Sequence, residues 1–233
     1  MSKVNRQVVK ENAARAVFTF TALVSILAVA LICVFLFANG IPGMAKIGAW
    51  DFLSGEKWKP GQEVFGILPF ILGSVYVTAG ALVVGVPAGL LTALFLSRFA
   101  SKRMAKLLRP AVQLLAGIPS VVYGFFGLVV LVPLVREVFG GTGSSLLTAS
   151  VLLGMMILPT IITVAEAALN AVPAAYYEGA LALGATHERS VFHVIFPAAK
   201  SGVMAGIILG IGRAIGEATA VMMVAGNRTS MPK

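Results

Sequence analysis

Residues 173–197 read P-A-A-Y-Y-E-G-A-L-A-L-G-A-T-H-E-R-S-V-F-H-V-I-F-P, the one long polar interruption in the apolar second half of the chain. Pro173 suits the first turn of a helix, where its missing N–H is not needed. Residues 174–183 are good helix formers, and Gly184 is a natural stop. Thr186 can cap the next helix, with Glu188 near its positive end. Pro197 closes the segment before a new apolar run begins. The stretch therefore reads as a short helix, a break and a second helix. Helical spacing puts Tyr177, Ala180, Leu181 and Gly184 near one face, an apolar ridge suited to a partner's groove. The plainer reading is a connecting loop that lies on the bilayer.

Composition places this elbow in a membrane protein. Of 233 residues, 58% are hydrophobic and 12% charged, against about 25% charged in soluble domains. So much apolar surface does not fit inside a soluble core of this length. The apolar runs are continuous rather than alternating, which argues against a membrane β-barrel and for an all-α polytopic chain. The net charge of +9 sits in short clusters between apolar runs. That is the pattern of loops facing anionic lipid, not of a nucleic-acid surface. The single cysteine, Cys33, rules out an internal disulfide and reads as a packing residue. No Gly-x4-Gly-Lys-Ser/Thr sequence occurs, so the chain is not expected to hydrolyse ATP by itself.

Five spans are expected. Residues 1–15 form a polar, basic N-terminal segment. Residues 16–38 are apolar without a charge, near the roughly 20 residues needed to cross hydrocarbon, and read as a retained first helix rather than a cleaved signal. Residues 39–63 read as a mixed loop with Trp50 and Trp58 as interfacial anchors. The core, 65–225, contains an apolar run at 65–96 broken by Gly73, Gly80, Gly85 and Pro87. The most basic segment, 98–109, carries no acid. Further spans are expected at 111–132, 145–165 and 201–225, with the elbow region at 170–200 between the last two. Lys and Arg are more frequent on the side that holds the N-terminus, the basic segment and the elbow. That bias makes this side cytoplasmic and leaves the tail, 226–233, outside.

Glu178, Gly184, Ile195 and Pro197 stand where the EAA loop of ABC-importer permeases has its Glu, Gly, Ile and Pro. Gly179 replaces the first Ala of that motif and Phe196 its usual Leu. Residues 116–124, A-G-I-P-S-V-V-Y-G, and 212–217, G-R-A-I-G-E, resemble PstC-type permeases of phosphate-specific ABC importers. The resemblance runs over about 65–227. It implies the type I, MetI-like permease fold in a bacterial inner membrane. It also implies an elbow that docks on an ATP-hydrolysing subunit through Tyr177, Glu178, Ala180, Leu181, Gly184 and His187. The expected partners are a PstA-like permease, a dimer of ATP-binding subunits and an extracytoplasmic phosphate-binding protein, with ATP and Mg held by the partner and no cofactor in this chain. The family pattern also has a sixth span, absent here, so the short tail is expected to be a truncated end.

Several residues are candidates for the mechanism. Gly202, Gly206 and Gly210 recur every four residues, as do Gly212 and Gly216. With no strand before them, they read as a small-residue ridge for helix packing rather than a nucleotide fingerprint. Arg213 and Glu217 share the expected fifth span, and a charge near the bilayer centre costs about 3 kcal/mol on insertion scales. One reading is a mutual ion pair, although Arg before Glu is the less favourable helical order. The other gives Arg213 to a passing anion, with Glu217 keeping the guanidinium from holding it too tightly. Pro119, Ser120 and Tyr123 suit a kink or a plain helix start, and Pro159 has the same double reading. Glu166 is expected at a solvated edge. His187 and His193 have no second pair of ligands for a metal, and read as solvated or in contact with a partner. No nucleophile–base arrangement stands out. Rival functions are import of another oxyanion such as molybdate or sulfate, proton-coupled transport through Glu217, and a non-transporting membrane scaffold.

Overall fold

The computed structural model describes residues 3–227 together with 229 and 231. The chain divides into two compact units at Leu68 and Pro69. In the first, α1 (Lys3–Ile47) is a single 45-residue helix. It runs nine residues past the expected end of the first span, and the loop expected from residue 39 starts only at Gly48. Residues 39–47 carry no strong stop except Pro42, which a long helix tolerates with the loss of one hydrogen bond. Asn39 returns its amide to the Phe35 carbonyl at 2.7 Å instead of ending the helix. A short α2 (Ala49–Ser54) follows. A two-stranded antiparallel ribbon pairs Trp58 with Phe65 and Lys59 with Val64, as β1 (Trp58–Lys59) and β2 (Val64–Phe65). Trp58 meets Phe65 edge-on at 5.7 Å. Cys33 is exposed on α1, so within this unit it is not a packing residue.

The described residues of the second unit form helices joined by turns, with no strand among them. α3 (Leu68–Leu94) continues through a π-turn at Phe95–Phe99, so the glycines and Pro87 do not break it. α4 (Lys102–Gly117) is a separate helix, capped by the Ser101 hydroxyl. α5 (Ser120–Phe126), a π-turn at Gly127–Leu131 and α6 (Val132–Phe139) form one apolar segment, Ser120–Phe139. The expected third span at 111–132 is thus corrected: it begins at Ser120. Pro119 forces Ile118 into an extended conformation and so ends α4. Pro119 occupies a helix start, not a kink inside a span. α7 (Leu146–Ala171) runs six residues beyond its expected end, to the stop set by Val172 and Pro173.

The elbow region holds α8 (Ala174–Ala182), then α9 (His187–Ser190), a π-turn at Val191–Ile195 and α10 (Phe196–Ala198). This last helical piece bends by 69° into α11 (Lys200–Gly216). The expected fifth span at 201–225 is also corrected. It ends at Gly216, Glu217 is extended, and a short α12 (Thr219–Val224) follows. The described residues hold four helices long and apolar enough to cross a membrane, and five if the bent pair counts as one. The expected tail falls partly outside the described residues, Arg228 and Lys233 included.

α7 is the core of this unit. Its Leu152, Leu153, Met156, Ile157, Ile161 and Leu169 are fully buried. α3 and α11 reach it through glycines, where a side chain would crowd the neighbouring helix. A Cβ on Gly85 would lie 2.8 Å from the Ile157 side chain and 2.9 Å from the Gly154 carbonyl. On Gly202 it would lie 2.5 Å from Ala168, on Gly206 3.3 Å from Val164, and on Gly210 2.9 Å from Ile161. Van der Waals packing at such close approach is what joins apolar helices in lipid. Gly212 and Gly216 face open space instead, so the ridge ends at Gly210. Gly85→Ala is expected to destabilise the second unit by about 1–3 kcal/mol, the cost of overpacking. Thermal unfolding in detergent checks this, with Gly212→Ala as the control that does not lower the midpoint.

Candidate functional site

The elbow is built from local signals and then clamped by non-local ones. α8 ends because Gly184 takes φ +84°, a conformation that side chains resist. Its N–H returns to the Leu181 carbonyl at 2.9 Å, and the Ala185 N–H to the Ala180 carbonyl at 3.1 Å. The Thr186 hydroxyl accepts the Arg189 N–H at 3.3 Å and starts α9. The Glu188 carboxyl is held below the usual carboxylate range, chiefly by its own backbone N–H and then by the Thr186 hydroxyl. The two arms are joined by a hydrogen bond between the Tyr177 hydroxyl and His187 Nδ1, 2.8 Å long. The Phe99 ring packs edge-on against His187 at 4.9 Å and lies 6.4 Å from Phe192. Phe99 is the last residue of the π-turn that ends α3, so the elbow and α3 share one aromatic cluster.

That cluster corrects the expected outward ridge. Tyr177 packs against the chain's own core of Ala93, Leu94, Ala165, Leu169, Val191 and Ile195. His187 is held inside the elbow, not free in solvent, whereas His193 is exposed. Ala180 is partly buried, while Leu181, Glu178 and Gly184 remain exposed. The most exposed large apolar side chains on the elbow, ahead of Leu181 and Phe192, are Tyr176 and above all Leu183, which is 91% exposed. Sequence reading missed both. The available signal for Leu183 was an apolar side chain directly before the helix stop, beyond the reach of its own helix's packing.

Behind the elbow, the end of α7 is tied to α3 and α4. Arg98 donates to the Leu169 carbonyl, and the Ser97 hydroxyl donates to Asn170 Oδ1 at 2.7 Å. Arg109 Nε donates to Glu166 Oε1 at 2.7 Å. Glu166 is therefore a paired and largely covered carboxylate, 12% exposed, not the solvated group expected from its place in the sequence.

The second candidate place lies at the end of α11. Arg213 Nη1 donates to the Thr160 hydroxyl of α7 at 3.2 Å. Glu217 lies outside that helix, where its Oε1 accepts the Ala220 N–H at 3.0 Å and starts α12. The two do not share a helix, and no ion pair joins them among the described residues. Tyr123 is buried, with its hydroxyl donating to the Leu115 carbonyl at 2.9 Å across the Ile118–Pro119 break. Among the described residues, no three His, Cys, Asp or Glu side chains converge as metal ligands would.

A helical chain with several apolar spans and a clamped polar elbow has the makings of a membrane permease. It matches the family described as binding-protein-dependent transport system inner membrane component over residues 85–232, and it belongs to that family. It is 40% identical over 237 residues to the probable ABC transporter permease protein YqgH of Bacillus subtilis, covering 100% of this chain and 76% of that protein. It is 35% identical over 216 residues to the phosphate transport system permease protein PstC of Mesorhizobium japonicum, covering 84% and 66%. With the probable PstC of Methanocaldococcus jannaschii, identity is 32% over 218 residues, covering 84% and 69%. These relatives bear out the resemblance to PstC-type permeases; the chain spans about two thirds to three quarters of their length. Among solved structures, it is similar to inward-facing MetNI methionine ABC transporter, with TM-score 0.45 and 23% identity over 64% of this chain and 69% of that one.

Proposed function

We propose that the chain is the membrane-spanning subunit of an ATP-driven importer of inorganic phosphate. The observation that carries this reading is the elbow, a bend clamped by the Tyr177–His187 hydrogen bond that leaves Leu183 exposed. An ATP-binding subunit docks there. Its closure on nucleotide pushes the bend, and the Phe99 contact and the Arg98 and Arg109 ties pass the motion to α3, α4 and α7. A second, PstA-like permease completes the channel, and an extracytoplasmic binding protein delivers the anion. The N-terminus and the elbow lie on the cytoplasmic side. Arg213 offers a positive charge to the anion as it crosses. Names of PstC relatives support phosphate as the substrate.

Reconstituted vesicles holding the full importer test the proposal. Phosphate uptake is expected to require both ATP and the binding protein, and to resist competition by molybdate and sulfate. Uptake driven by a proton gradient alone contradicts it. A second reading is import of another oxyanion, because the name of the 40% identical relative gives no substrate and so does not select phosphate. Competition by molybdate or sulfate in the same vesicles would select it.

A further inference from the structure

Helix α4 has three faces. One, with Ala105 buried and Leu108 and Val112 partly so, rests on the rest of the second unit. Arg109 fixes it there through Glu166. A second face carries Met104, Leu107, Ala111 and Leu114 at helical spacing, and Leu107 and Leu114 are each 74% exposed. The third is basic: Lys102, Arg103 and Lys106 are exposed, and the helix holds no acid.

Neither water nor a spanning position suits this arrangement. A water-facing helix does not leave two leucines three-quarters bare beside a methionine. A spanning one would carry three cations in hydrocarbon, and its 16 residues would reach only about 24 Å of the roughly 30 Å needed. The plane of the bilayer interface satisfies both faces, with apolar side chains among the acyl chains and cations at headgroup level. A cationic face with no acid is complementary to acidic headgroups, which selects lipid over a neutral protein groove. We propose that α4 is an anionic-phospholipid-binding helix, gathering acidic headgroups at Lys102, Arg103 and Lys106 while Met104, Leu107 and Leu114 enter the acyl layer. The Arg109–Glu166 pair then links lipid composition directly to α7.

Native mass spectrometry of the full chain, titrated with phosphatidylglycerol or phosphatidylcholine, tests the site. The wild type is expected to retain phosphatidylglycerol preferentially. The variant K102Q/R103Q/K106Q should bind it on the order of 100-fold more weakly, given what each basic residue near an anionic surface contributes. The charge-matched variant K46Q/K57Q/K59Q should stay near the wild-type value. Equal loss in both variants, or no loss in the first, overturns the proposal. So does displacement of the lipid by excess inorganic phosphate, which would mark an oxyanion site. A nitroxide at Leu107 (Leu107→Cys with Cys33→Ser, in bilayer nanodiscs) gives an independent readout. It should be open to oxygen and shielded from a water-soluble relaxation agent. Exposure to both places α4 in water, and shielding from both means a protein covers the stripe; either result overturns the proposal.

Discussion

Leu183→Asp is expected to abolish ATP-driven phosphate uptake while leaving the chain folded and inserted. Leu183 is 91% exposed and contributes almost nothing to the chain's own packing, so its replacement should change stability by little. As an apolar anchor at the centre of a docking surface it would contribute 2 kcal/mol or more to binding, about 30-fold in affinity. A carboxylate in its place adds a desolvation cost to the lost contact. Tyr177→Phe should act differently. It keeps the ring in the core but removes the hydrogen bond to His187, loosening the bend and giving a partial loss of coupling. Uptake per inserted molecule, measured beside co-purification with the ATP-binding subunit, separates the two effects. Unchanged uptake in Leu183→Asp would move the docking surface elsewhere.

Arg213→Ala should lower phosphate uptake by about 10- to 100-fold, the range expected for losing a hydrogen bond to a charged group in a water-poor path. Arg213→Lys should recover part of it, because the charge remains and the fork geometry does not. The fold is expected to survive the loss. Thr160, which accepts from Arg213 at 3.2 Å, can turn its hydroxyl to a carbonyl one turn back in α7. Glu217 allows a cleaner separation. Glu217→Gln removes the charge and keeps an oxygen to accept the Ala220 N–H, so α12 should persist while any charge-dependent effect on transport appears. Glu217→Ala should lose the cap as well, about 1 kcal/mol. Should Arg213→Ala transport at the wild-type rate per molecule, Arg213 is a tie between α7 and α11 and nothing more.

The contrast between what the sequence revealed and what it hid follows the range of the interactions. Gly184 and Thr186 stop and start helices through contacts within a few residues, and both are legible in the letters. Apolar runs likewise mark the spans, because hydrocarbon thickness sets their length. The ends of those runs are less legible. At 111–132 the apolar face of α4 merges with the next span, and only the pre-proline restriction at Ile118 separates them. At 201–225 the break is set by Glu217 turning back to cap α12, which composition does not reveal. The rotation of the elbow was hidden most fully. Tyr177 turns inward because it packs on a cluster that holds Leu94 and Leu169 from other helices and bonds His187, which Phe99 meets edge-on. Glu166 finds Arg109 from a helix distant in sequence in the same way. Helical spacing names a shared face; tertiary contacts decide which way that face points.

The most direct test is a photocrosslinker at Leu183 in the complete importer, followed through the nucleotide cycle. Docking of the elbow predicts an adduct with the ATP-binding subunit whose yield changes when nucleotide binds. An adduct with lipid alone, or with the extracytoplasmic binding protein, contradicts it.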